Sequence, residues 1–166
     1  MRQRARVALG LSACFLPFFL PVPLSVAQTG FPADDFSITL KREVCFGTCP
    51  DYKVTILGDG SVQYEGREYV RVSGIRRKTV PVSSVEKLVQ RLREEDFFHW
   101  EEKKEVCIDF PEVHITVTLK GQQKSVLEGC NSPGKVLALA AEIDELSGAR
   151  QWVGKVRSHG SFRPVR

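Results

Sequence analysis

"CFGTCPDYKVTILGDGSVQYEG", residues 45–66, holds two apolar arms around a glycine-rich turn. Tyr52 to Leu57 and Ser61 to Tyr64 flank Gly58-Asp59-Gly60, and the glycines tolerate the positive φ that a tight turn needs, so the run reads as a β-hairpin. It is not a phosphate loop, because no Lys-Ser/Thr follows and no helix begins there. In front of the hairpin stand Cys45 and Cys49, with Gly47 between them and Pro50 behind. That spacing suits a structural staple, a redox pair or a metal site.

Working outward, Phe36, Ile38 and Leu40 alternate with Ser37, Thr39 and Lys41, the period-two pattern of a half-buried strand. Downstream, the second hairpin arm is expected to continue through Tyr69 and Val72 to a turn at Ser73-Gly74, with a further strand from Ile75 to Val80. Arg67, Arg71, Arg76, Arg77 and Lys78 crowd this region. They read as charges guarding a strand edge, with a basic surface for an anionic partner as the alternative. Ser83 and Glu86 spell a capping box, and Val85, Leu88, Val89 and Leu92 follow at helical spacing. Phe97, Phe98 and Trp100 are expected to close the core behind that helix.

Val113, Ile115, Val117 and Leu119 then alternate with His114, Thr116 and Thr118. Lys120-Gly121-Gln122 turns, and Lys124 to Leu127 returns. Ser132 and Pro133 are expected to open the last helix, whose buried stripe is Val136, Leu139, Ala140, Ile143 and Leu146. Gly148 stops it, and Trp152 is expected to pack back. No βαβ alternation occurs. The fold class is therefore α+β, an antiparallel sheet of five to six strands with two helices packed on one face.

The ends of the chain differ from its middle. Arg2, Arg4 and Arg6, the apolar run Val7 to Leu24 and the small residues Ser25-Val26-Ala27 read as a cleaved export signal over residues 1–27. Pro17, Pro21 and Pro23 argue against that run as a stable membrane span. Leu11-Ser12-Ala13-Cys14 allows an alternative, a lipoprotein lipidated at Cys14. Residues 28–35 form a lead-in, 36–152 a single domain and 153–166 a basic disordered tail. The net charge is +4, yet between the leader and the tail, residues 28–149 hold 16 basic and 20 acidic residues. The basic pI therefore does not mark a nucleic-acid-binding domain.

Enzyme signatures are absent: there is no Gly-x-Ser-x-Gly and no His-Glu-x-x-His. No catalytic residue and no cofactor are assigned. His99, His114 and His159 read as surface or packing residues. Glu101, Glu102, Glu105, Asp109 and Glu112 cluster, but Lys103 and Lys104 interrupt them and the spacing is not that of a calcium loop.

The opening run, with its Cys-x-Gly-x-Cys-Pro-x-Tyr, Gly-Asp-Gly and Tyr-x-Gly, resembles the signature of an uncharacterised family of exported bacterial domains. Further on, "EEDFF", Cys107 with Asp109 and Pro111, "EGC" at Glu128 to Cys130 and the closing "EIDEL" are similar in order and spacing, from about Ser37 to Trp152. The resemblance implies an exported domain and carries no catalytic residue with it.

With Cys14 removed in the leader, Cys45, Cys49, Cys107 and Cys130 remain, and three pairings are open. A sharp turn at Gly47 favours Cys45–Cys49, which leaves Cys107–Cys130 as the second bridge. The expected function is a non-enzymatic binding or structural module of the cell envelope, periplasmic or secreted. Its free sheet face would carry some of Thr55, Gln63, His114, Thr116 and Thr118, and its partner would be an envelope protein or an anionic polymer. The alternative is a thiol-redox or copper-handling protein using Cys45 and Cys49 with His114 or His99, since soft sulfur ligands suit Cu(I). A hydrolase without a recognisable motif ranks below both.

Overall fold

A computed structural model describes residues 31–101, 111–128 and 134–154. The strands are β1 (Phe36–Arg42), β2 (Tyr52–Leu57), β3 (Ser61–Gly66), β4 (Gly74–Thr79), β5 (Val113–Leu119) and β6 (Gln122–Glu128). Helix α1 (Val82–Glu94) lies between β4 and β5, and α2 (Gly134–Ser147) follows β6, with a final turn α3 (Arg150–Val153). All strand pairs are antiparallel, in the order β4-β3-β2-β1-β5-β6. The fold is α+β, as its pattern of elements implies.

The alternation in the sequence sorts the two faces. Phe36, Ile38, Leu40, Val54, Ile56, Ile115 and Val117 are fully buried and form one core with Val85, Leu88, Val89 and Leu92 of α1 and Leu139, Ala140 and Ile143 of α2. Each of these side chains larger than alanine contributes roughly 1.5–3 kcal/mol by leaving water. Phe97 and Trp100 join that core, and the Trp100 indole donates to the Glu95 carbonyl at 2.8 Å. Arg91 of α1 pairs with Glu142 of α2 at the helix boundary.

The β2–β3 turn depends on Gly60, whose φ is +84° and whose Hα side lies against Val80: an added Cβ would sit 2.3 Å from the Val80 carbonyl oxygen. At the other end of β3, the Tyr64 ring folds back over Gly66, where a Cβ would lie 2.5 Å from Tyr64 Oη and 2.4 Å from Val72 O. Tyr64 Oη donates to that same Val72 carbonyl at 3.1 Å.

Two local expectations are corrected. Ser83 and Glu86 do not form a capping box, since α1 begins at Val82 behind Pro81 (φ −58°, ψ 131°) and no side chain caps it. Proline's fixed φ and missing N–H let the chain enter the helix there, which leaves Ser83 inside the first turn. Nor does the third strand continue through Tyr69 and Val72. It ends at Gly66, and Tyr69 takes a positive φ of 52°. The amides of Arg71 and Val72 donate to Val153 and Trp152 carbonyls at 3.2 and 2.9 Å, so the C-terminal turn captures them. Trp152 does pack back, its ring 5.0 Å from that of Tyr64.

Cys45 and Cys49 are joined in a disulfide with their Cα atoms 5.5 Å apart, and the Gly47 amide donates to the Cys45 carbonyl at 2.7 Å. The bridged loop links β1 to β2, with Cys49 buried and Phe46 92% exposed at its tip. Cys14, Cys107, Cys130, Ser132, Pro133, His159 and the carboxylates Glu102, Glu105 and Asp109 lie outside the described residues, as do the leader and tail.

Candidate functional site

Both helices bury the same face of the sheet, and no described helix packs on the other. Strand register assembles that open face into rows. The central row runs Arg77, Gln63, Thr55, Thr39, Thr116, Ser125, one residue from each of the six strands. Thr39 and Thr55 hydroxyls meet at 3.0 Å, Thr116 and Ser125 at 2.9 Å, and the Gln123 amide donates to Thr118 Oγ1 at 3.2 Å. Thr55, Gln63, His114, Thr116 and Thr118, the residues expected on a free face, do share it. Each is half-buried by its neighbours.

Between β2 and β4 the sheet's twist opens a shallow concavity of about 660 Å³, lined by Lys53, Thr55, Gln63, Arg77 and Thr79 among others. Lys53 pairs with Glu65 at 3.0 Å, and Lys53 and Arg67 together hold Glu65 below the usual carboxylate range. Arg77 makes no ion pair among the described residues. It stands on β4, the exposed edge strand, beside Arg76 and Lys78.

At the disulfide end, the same face carries His114, Glu112 and Glu43. His114 Nε2 lies 3.1 Å from Glu112 Oε2 and 3.7 Å from Glu43 Oε2. The Lys41 ammonium bonds to the other oxygen of Glu43 and holds that carboxyl below its ordinary range. His99, by contrast, is remote from both cysteines in sequence and pairs with its neighbour Asp96 at 2.6 Å. In the bridged state neither Cys45 nor Cys49 offers a thiolate, so no Cys–Cys–His ligand set is formed here.

The opposite, buried face ends in a polar cluster that periodicity did not reveal. Register lines up Tyr52, Arg42, Val113 and Glu128 across four strands, and α2 lays Asp144 over them. Tyr52 Oη donates to Asp144 Oδ1 at 2.7 Å, and Arg42 Nη2 donates to Asp144 Oδ2 at 2.9 Å. Burial, then the Asp144 charge, pushes the Tyr52 phenol well up. Burial works against the Arg42 charge, but Tyr52 and Asp144 outweigh it and hold its pKa above the ordinary value. Glu128 is 5% exposed, its Oε2 and Arg42 Nε have no hydrogen-bond partner among the described residues, and burial pushes its carboxyl up to about 7 against the opposing pull of Arg42.

Asp144 is 7% exposed and both its oxygens are occupied, so this cluster acts as a strut between α2 and the sheet. A signal for it was present: Asp144 and Ser147 sit on the buried side of α2 beside Ile143, polar residues within an apolar stripe. Their partners, on strands far off in sequence, could not be read locally.

A family model described as a domain of unknown function (DUF6438) matches residues 36–147. Among curated proteins no match is found.

Proposed function

The chain belongs to the DUF6438 family, and from that footing we propose that it is a non-enzymatic, exported binding module that takes an extended anionic polymer on the open face of its sheet. The observation that carries this reading is the central row: hydroxyls and an amide spaced one strand apart, ending in the guanidinium of Arg77, which makes no ion pair among the described residues. Strands lie about 4.8 Å apart, so such a row offers evenly spaced donors and acceptors to a polyhydroxylated chain. Arg77, which shares that face with Gln63, supplies attraction to its negative groups. Export is supported by the Cys45–Cys49 bridge, since disulfides persist in oxidising compartments, and by the charged and apolar leader.

Affinity electrophoresis of the exported protein through gels containing polygalacturonate, with dextran as the neutral control, tests the reading. Retardation by polygalacturonate that weakens with salt and is lost in Arg77→Glu is the expected result. Equal mobility in both gels, or retardation unchanged in Arg77→Glu, removes it.

A further inference from the structure

We propose that Glu43, Glu112 and His114 form a binding site for a divalent first-row transition-metal ion, of which Zn²⁺ is the representative, at the disulfide end of the open face. Among the described residues this is where three metal-ligating atoms converge, all within 4.8 Å of one another. Two of the edges of that triangle are 3.1 and 3.7 Å. Zinc bonds of about 2.0–2.2 Å to nitrogen and oxygen place neighbouring ligand atoms roughly 3.0–3.6 Å apart, so the donors need move only slightly to close on an ion.

The backbone beneath them is fixed. Lys41 and His114 are register partners on β1 and β5, and the Glu43 amide donates to the Glu112 carbonyl at 3.0 Å. Electrostatics also favours a cation there. Two carboxylates aim one oxygen each at the same imidazole nitrogen, and the ring can offset at most one of them. Lys41 sits on the outer oxygen of Glu43 and leaves Oε2 facing inward. One imidazole and two carboxylates are a borderline-hard donor set, which suits Zn²⁺ and its neighbours better than Cu(I) or Mg²⁺. Three protein ligands would leave a coordination position open. The site is separate from the cysteines and does not depend on the identity of any polymer on the face.

The same distances would arise from an imidazolium held between two carboxylates, and titration separates the two. Zn²⁺ is titrated into the full exported protein, stripped of metal, against a chromophoric chelator, while the imidazole signals of His114 are followed by NMR. The expected result is saturable 1:1 binding that shifts the His114 ring and is absent with Mg²⁺. His114→Ala and Glu112→Gln should each weaken it roughly tenfold or more, the scale on which even outer partners of a ligand count. Lys41→Met should tighten it by removing a competing ammonium, an effect that no other metal site on the chain predicts. No saturable binding, an unmoved His114 signal, or affinity unchanged in Glu112→Gln overturns the proposal. Glu112 is exposed, so that variant folds independently of the answer.

Discussion

The Tyr52 hydroxyl donates a 2.7 Å hydrogen bond to Asp144, 92 residues further along the chain, and so ties the first strand after the disulfide to the last long helix. Asp144 also receives Arg42 at 2.9 Å. One buried carboxylate thus serves two strands, and the bridged Cys45–Cys49 loop sits between the residues that reach it.

Removing either side of this contact should cost unequal amounts. Tyr52→Phe leaves one Asp144 oxygen without a donor, and urea unfolding should show a loss of about 1–3 kcal/mol. Asp144→Ala strands the partly buried Arg42 and should cost more, about 3–5 kcal/mol. Equal stability of wild type and Asp144→Ala would mean that the strut carries no net energy.

Glu128 makes stability depend on pH in a defined window. Its folded-state pKa is raised from 4.5 to about 7, so the folded protein holds a proton that the unfolded chain has released. Its contribution is therefore fully present below pH 4.5 and declines as pH rises towards 7, by at most about 3 kcal/mol. Above that, ionised Glu128 is buried with no hydrogen bond to Oε2 from the described residues. Glu128→Gln should flatten the pH profile between these limits and be the more stable form at pH 8. Thermal unfolding of both proteins at a series of pH values checks this, and parallel profiles would remove Glu128 as the cause.

The short bridge should matter modestly. Closing a loop of this length lowers unfolded-state entropy by an amount worth roughly 2 kcal/mol. The paired Cys45→Ser, Cys49→Ser variant should therefore fold and show a loss of that order in urea. Cys49 is buried while the loop tip around Phe46 is exposed, so the loss should appear without large change in the core's near-UV signature. A collapse of the whole fold would instead make this loop part of the core.

Period-two alternation in β1, β2 and β5, the stripe Val85-Leu88-Val89-Leu92 and the glycine turn at residue 60 were legible because each follows from chain neighbours alone. They carry the class of fold and the sorting of apolar from polar faces. The disulfide of Cys45 with Cys49 was legible for the same reason, its partners being four residues apart. Element ends were less so: Pro81 displaced the capping box, and the Val72 amide was claimed by Trp152, 80 residues later. The placement of β5 against β1 was not legible at all, although it creates both the threonine row and the meeting of Glu43, Glu112 and His114. Nor was the seating of Asp144 on Arg42. An apolar pattern states that a face is to be buried, but not against what. That choice belongs to packing and hydrogen bonding between segments brought together only when the whole core closes.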